Sequence, residues 1–238
     1  MTDIDLGNLK IFADGADRSS IIELRQNPII RGFTTNPTLM RAAGIDDFES
    51  FALDVVGLVG GLPISFEVFS DDIAEMEAQA QKITSWGPNV YVKIPVTNTE
   101  SVSTGELLRR LSGAGIKCNV TALMTVAQVE QTVVCLTEGV PAFVSVFAGR
   151  IADTGRDPVP LMIQARRVLD QYPSVELIWA SPRELLNIVQ AAQIDCHVIT
   201  VTPDILKKLP TLGRDLDDFS LDTVRMFHRD AETARYSL

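Results

Sequence analysis

Asn89–Val96 reads NVYVKIPV, an apolar run closed by a proline and interrupted by one lysine, Lys93. A short, continuous apolar run of this kind reads as a strand of a parallel sheet with both faces covered. Lys93 then sits where such a strand should carry only apolar side chains. Burying an ammonium group there is costly unless it is paired, neutralised or used in chemistry. The chain has only six lysines, and the other five lie at the ends of apolar segments or on polar faces. Desolvation favours the neutral form of a lysine, and a neutral amine can attack a carbonyl to form a Schiff base. The competing reading is a side chain that snorkels to solvent or bridges a carboxylate.

Working outward from this strand, similar runs recur along the chain: Lys10–Asp14, Gly32–Thr35, Pro63–Phe69, Ile116–Thr121, Ala142–Phe147, Val175–Ala180 and Cys196–Val201. With Asn89–Val96 they make eight. Segments of helical spacing lie between them, such as Ile73–Ile83, Thr125–Leu136, Val159–Leu169 and Glu184–Ala192. Helix starts are signalled at Ser70–Asp71, Thr125, Ser181–Pro182 and Thr202–Pro203. Eight β/α units predict an α/β fold, a single (β/α)8 TIM barrel spanning residues 1–238. An open doubly wound sheet is the alternative, but no GxGxxG or Walker sequence supports it. No linker or composition break divides the chain, and Gly213–Leu238 reads as an additional C-terminal helix.

The chain has 238 residues, is 46% hydrophobic and carries a formal charge of −10. That charge argues against nonspecific binding to nucleic acid or an anionic membrane. A small phosphorylated substrate stays possible, because local arginines suffice to hold one. Three cysteines without CxxC spacing suggest free thiols in a reducing compartment. No apolar stretch suits a membrane span, and the N-terminus MTDIDLGNLK lacks the apolar core of a signal peptide. A soluble cytoplasmic protein is expected. The two histidines, His197 and His228, are too few and scattered for a histidine-rich centre, so no metal and no cofactor is expected. Cys196 and His197, being adjacent on a strand, point to opposite faces.

In a barrel of this kind, chemistry sits at the C-terminal ends of the strands. Asp14 ends the first run, and Thr34, Thr35 and Asn36 end the second. Glu67 lies in the third, Lys93 in the fourth, and Asn119 and Thr121 close the fifth. Ser145, Phe147 and Arg150 belong to the sixth, Ser181 and Arg183 to the seventh. Taken singly, Asp14 could cap a helix, Asn36 hold a turn, and Thr121 bond its own backbone. Glu67 alternates with Phe66 and Val68, so it must point into the barrel or under a helix and needs a partner. Arg150 and Arg183, placed before helix starts, would suit a phosphate.

The segments FADGAD (Phe12–Asp17), GFTTNPTL (Gly32–Leu39), ISFEV (Ile64–Val68), VKIPVT (Val92–Thr97), CNVTALMT (Cys118–Thr125), VSVFAGRIAD (Val144–Asp153) and ASPRE (Ala180–Glu184) resemble the transaldolases in their short, single-barrel form. They span most of the chain, one per strand, in the family's order. The resemblance implies a class I aldolase mechanism, transferring dihydroxyacetone between sugar phosphates such as sedoheptulose 7-phosphate and fructose 6-phosphate. Under it Lys93 matches the Schiff-base lysine and Asp14 the carboxylate that handles the proton of the cleaved hydroxyl. Glu67 and Thr121 match the pair that positions water. Thr35 and Asn36 match holders of sugar hydroxyls, with Asn119 and Ser145 beside the lysine. Arg150, Ser181 and Arg183 match the phosphate set.

Fructose-6-phosphate aldolases are similar but usually have glutamine at the position of Glu67 and tyrosine at that of Phe147. Phe147 lacks the phenol that would protonate the carbanion, which favours transfer over release of dihydroxyacetone. Gly15, Val146 and Pro182 depart from the family's usual residues, and Arg156 adds a cation near the rim. A dihydroxyacetone-releasing aldolase is one alternative, and a non-catalytic sugar-phosphate-binding barrel is another. By analogy, a homo-oligomer is expected, with the C-terminal helix as a contact.

Overall fold

The computed structural model describes residues 5–15 and 17–235. Residues 1–4 of the N-terminal segment, Ala16 of FADGAD and residues 236–238 of the C-terminal extension lie outside the described residues. Eight parallel strands close into a barrel in sequence order. They are β1 (Lys10–Asp14), β2 (Ile30–Thr34), β3 (Ile64–Glu67), β4 (Val90–Pro95), β5 (Cys118–Leu123), β6 (Ala142–Val146), β7 (Val175–Trp179) and β8 (Val198–Val201). The α/β barrel expected from the alternation is the observed fold. Strand limits differ from the sequence reading by up to two residues, the usual uncertainty of element ends.

Around the barrel run α1 (Arg18–Arg25), α2 (Pro37–Ala42), α3 (Phe48–Leu58), α4 (Ile73–Thr84), α5 (Gly105–Gly113), α6 (Val126–Val133), α7 (Ala148–Ala152), α8 (Val159–Leu169), α9 (Leu186–Gln193) and α10 (Pro203–Leu206). Each long helix turns a narrow apolar stripe inward. In α4 it is Met76, Ala80 and Ile83, and in α8 Met162, Ala165 and Leu169. These spacings place all three on one face. They pack into one core with the outward residues of the strands, such as Ile11, Phe33, Phe66, Val92, Val120 and Val144. Each fully buried large side chain contributes about 1.5–3 kcal/mol.

Period-two alternation sends the remaining strand residues into the barrel. The lower interior layer is apolar: Phe12, Tyr91, Phe143, Ile178 and Val198 cluster there. Phe12 meets Phe143 edge-on at 5.5 Å, and Tyr91 lies against Phe143 at 4.3 Å between centroids. Gly32, paired in register with Phe12, leaves room for that ring; a Cβ there would lie 2.6 Å from it. This plug closes the barrel floor. One step higher on the same faces stand Asp14, Thr34, Glu67, Lys93, Asn119, Ser145 and Thr200. The polar layer is therefore a consequence of strand parity above an aromatic base.

Two expected helix starts are placed differently. Asp72, not Ser70 or Asp71, caps α4 by accepting from Glu75 N–H at 2.9 Å. Asp71 instead accepts from the backbone N–H and the hydroxyl of Thr99, at 2.7 and 2.6 Å. Ser181–Pro182 does not open a helix: Ser181 has φ of 60° and α9 begins at Leu186. Asn187 reaches back to accept from Arg183 N–H at 2.7 Å, which satisfies the turn. Thr125 caps α6 as expected, within a capping box completed by Gln128.

The expected C-terminal helix is α11 (Leu216–Ala234), capped by Asp215. It carries no buried residue, and Leu216, Phe219, Val224 and Phe227 are exposed. Among the described residues no helix is long and apolar enough to cross a membrane.

Candidate active site

The polar layer opens at the C-terminal mouth as a cavity of about 310 Å3. Asp14, Asn36, Lys93, Asn119, Thr121 and Ser145 line its depth, and Phe147, Arg150, Ser181 and Arg183 its rim. A larger hollow of about 690 Å3 lies at the opposite mouth. Its charged residues include Lys10 and Glu176, which pair with each other at 2.6 Å. The aromatic plug forms its ceiling, so it has no access to the polar layer.

Lys93 is 7% exposed, held in the middle of β4. Its Nζ donates to the Thr35 carbonyl at 2.7 Å and faces Glu67 Oε2 at 3.2 Å. The amine therefore does not stand alone in a dry interior: the register pairing Glu67 with Lys93 supplies a carboxylate on the next strand. Thr121 donates to the other oxygen, Glu67 Oε1, at 3.3 Å. Glu67, Lys93 and Thr121 thus form one connected group across β3, β4 and β5. Directly after Thr121 the β5–β6 register shifts, and Ala122 takes φ of 63°. Left-handed backbone at a non-glycine residue costs roughly 1–2 kcal/mol, and such irregularities concentrate beside functional groups.

Thr35 is placed differently from expectation. Its hydroxyl donates to the Ser65 carbonyl at 3.0 Å, and it is 1% exposed. It contributes a backbone acceptor for Lys93 rather than a hydroxyl in the cavity, because Thr34 takes the inward position on β2. Asn119 pairs in register with Lys93, and Ser145, one strand further on β6, lines the same cavity. Ser145 donates to Asn119 Oδ1 at 2.7 Å, and Asn119 Nδ2 donates to Ser65 Oγ at 3.0 Å.

Asp14 accepts from Thr34 Oγ1 at 2.7 Å and from Asn36 Nδ2 at 3.4 Å. Burial raises its pKa above the ordinary carboxylate value, while Lys93 and the Thr34 hydrogen bond pull it back down. Asn36 serves twice. Its Oδ1 caps α2 by accepting from Leu39 N–H at 2.9 Å, and Pro37 occupies the first helical position. The TTNP sequence thus both starts a helix and aims an amide at Asp14.

At the rim, Arg150 lies within α7 rather than before it, its guanidinium 5.8 Å from the Phe147 ring centroid. Arg183 is paired with Asp153, donating through Nε at 3.0 Å and also through Nη2. That pair holds the Asp153 carboxyl below the usual carboxylate range. Gly149 in α7 approaches the Ser181 carbonyl so closely that a Cβ would lie 1.6 Å from that oxygen. The FAGR and SPR segments therefore interlock, and both cationic residues are carried by one packed unit. Arg156 bonds Thr154 at 2.8 Å and does not line the cavity.

Sequence reasoning missed the hydroxyls of Ser65 and Thr200. The available signal was parity: Thr200 lies two residues beyond inward-facing Val198, and Ser65 two before Glu67. Cys196 and His197 behave as packing residues. The Cys196 thiol bonds the Val198 carbonyl at 3.3 Å, and His197 Nδ1 accepts from Leu177 N–H at 2.9 Å. Burial pushes the thiols of Cys118 and Cys196 up to about 12, which leaves them poor nucleophiles.

Comparison with known proteins shows the family of the chain. A "probable transaldolase" from Streptococcus agalactiae serotype V is 37% identical over 218 residues, covering 90% of this chain and 97% of the relative. One from Streptococcus equi subsp. equi is 35% identical over 202 residues, covering 84% and 90%. "Probable transaldolase 2" from Listeria monocytogenes serovar 1/2a is 32% identical over 218 residues, covering 90% and 95%. A solved structure described as a phosphonomutase, from Burkholderia cenocepacia J2315, superposes with a TM-score of 0.55 at 11% identity. It covers 86% of this chain and 90% of that one, a likeness of fold alone. The family model Transaldolase/Fructose-6-phosphate aldolase matches residues 11–238. With that match running from the first barrel strand to the last residue, the chain belongs to the transaldolase/fructose-6-phosphate aldolase family.

Proposed function

We propose that this protein transfers a dihydroxyacetone unit from a ketose phosphate to an aldose phosphate through a Schiff base on Lys93. The observation that carries this is the buried amine between Thr35 O and Glu67, facing a cavity that also holds Asp14. Lys93, once it has given a proton to the neighbouring Glu67, attacks C2 of fructose 6-phosphate or sedoheptulose 7-phosphate. Glu67 returns that proton to the C2 hydroxyl, which leaves as water, and the nitrogen lone pair forms a protonated imine that serves as the electron sink. Asp14 takes the proton of the C4 hydroxyl; the C3–C4 bond breaks, its electron pair flows toward nitrogen, and an aldehyde departs. The enamine left on Lys93 then attacks an acceptor aldehyde, and Asp14 returns its proton to the new hydroxyl. Water, held by Glu67 and Thr121, hydrolyses the imine and frees Lys93.

The other residues fit supporting roles. Asn36, Asn119 and Ser145 offer donors and acceptors to the sugar hydroxyls. Arg150, Ser181 and Arg183 would hold the phosphate, with Arg183 exchanging part of its Asp153 contact for phosphate oxygens. Phe147 puts an aromatic ring where a phenol would release free dihydroxyacetone, which favours the transferase reading over the aldolase one. The exposed apolar face of α11 supports self-association, and light scattering giving a monomer mass would refute that part.

Borohydride reduction in the presence of fructose 6-phosphate tests the central claim. A mass increase on the peptide containing Lys93 is expected. A folded sample with no ketose adduct on Lys93 would overturn the assignment.

A further inference from the structure

Two buried threonines of the polar layer have no role in the scheme above. Thr34 Oγ1 donates to Asp14 Oδ1 at 2.7 Å, and it also contacts Thr200 Oγ1 on β8. Thr34 is 3% and Thr200 7% exposed, and both border the cavity. A hydroxyl owns a single hydrogen. While Asp14 is ionised, the hydrogen of Thr34 is committed to the carboxylate. The contact between the two threonines is then satisfied in one way only, with Thr200 donating to Thr34.

We propose that Thr200 is a positioning residue for proton transfer at Asp14, acting through Thr34 as the outer member of a reversible hydroxyl chain. In the ionised state the hydrogens run from Thr200 to Thr34 to Asp14. When Asp14 takes the proton of the substrate hydroxyl, its new O–H donates to Thr34, Thr34 turns its hydrogen to Thr200, and Thr200 turns its own into the cavity. No proton leaves the carboxyl along this chain; the hydrogens only reorient. Each protonation state of Asp14 keeps a full set of partners, and a buried group left unpaired in either state would be costly. The closed barrel makes this possible, because β8 and β2 both flank β1. This inference rests on the role given to Asp14 in the proposed function.

The charged groups acting on Asp14 are Lys93 from β4 and Glu67 from β3, the first favouring and the second opposing its ionised form; Thr34 and Asn36 also favour that form. Removing the outer hydroxyl weakens Thr34 as a donor, so ionisation of Asp14 moves to higher pH. Two measurements on the full-length protein test this. In the first, kcat/KM for transfer from fructose 6-phosphate is followed against pH for wild type, Thr200→Val and Thr200→Ser. The valine variant is expected to lose on the order of tenfold at the acid end and to recover toward the alkaline end, with serine restoring the wild-type profile. A loss equal at every pH, as a merely structural role would give, overturns the proposal.

The second measurement needs no activity. The Asp14 carboxyl is titrated by 13C NMR in labelled protein without substrate, its signal assigned by its absence from Asp14→Asn. A higher midpoint in Thr200→Val, reversed in Thr200→Ser, supports the chain. An unchanged midpoint refutes it even if the protein proved to have no transferase activity. Should Thr200→Val fail to fold, Thr200→Ala and Thr34→Val carry the same titration.

Discussion

Replacing Lys93 with methionine should remove the chemistry and make stability more strongly dependent on pH. At 3.2 Å the Lys93–Glu67 attraction is about 5 kcal/mol at an effective dielectric of about 20. Several kcal/mol of ammonium desolvation oppose it, while methionine, of similar length, adds little apolar burial because the Lys93 stem is already buried. The Thr35 carbonyl loses its donor, at about 1–3 kcal/mol. Glu67 is left without its partner, so the net loss is about 3–5 kcal/mol at neutral pH. The pH dependence comes from Asp14. Its carboxyl is already raised by burial, and Lys93 is the strongest influence holding it down. A carboxyl whose folded pKa lies above its unfolded value costs stability as pH rises through that raised value. Without Lys93 the pKa rises further, so the variant should lie nearest to wild type in acid and fall further behind as pH increases. Urea unfolding followed by circular dichroism across that range reads the difference. A destabilisation that is the same at every pH would refute the electrostatic coupling of Asp14 to Lys93. Transferase activity in a folded Lys93→Met protein would refute the Schiff base.

Arg183→Ala should raise KM for phosphorylated substrates by on the order of tenfold while changing kcat little; steady-state kinetics giving an unchanged KM would remove Arg183 from the phosphate set. Phe147→Tyr should increase formation of free dihydroxyacetone when no acceptor aldehyde is present. An enzyme-coupled assay showing no such increase would count against the reading of this position. Gly149→Ala forces a methyl group against the Ser181 carbonyl, so melting temperature should fall and KM rise together. Wild-type values of both would mean the two loops need not interlock.

Much of the site was legible because the barrel repeats one rule. Lys93 and Glu67 stand out as charges inside apolar runs, and a strand with both faces covered has no solvated side for them. Asp14, Asn119 and Ser145 follow from the same strand-end reading. The TTNP segment does not reveal which threonine faces inward, so Thr35 reads as a cavity residue in place of its neighbour. The closed register decides that: β2 ends at Thr34, which points to Asp14, and Thr35 turns to Ser65. The pairing of Arg183 with Asp153 is not legible in the sequence, because Asp153 lies 30 residues away on another loop. Ser181–Pro182 mimicked a helix start, but Ser181 adopts a left-handed conformation and the turn runs on to Leu186.

The order of apolar and polar residues by itself determined the barrel, since period-two runs alternating with amphipathic helices have one economical way to bury both faces. It also determined which lysine would be buried, since burial depends on residues adjacent in the chain. Tertiary structure alone decided how that amine is compensated, which threonine reaches Asp14, and which hydroxyl stands behind it. Those partners come from other strands: the β3–β4 register sets Glu67 level with Lys93, and closure of the sheet brings β8, far away in sequence, beside β1.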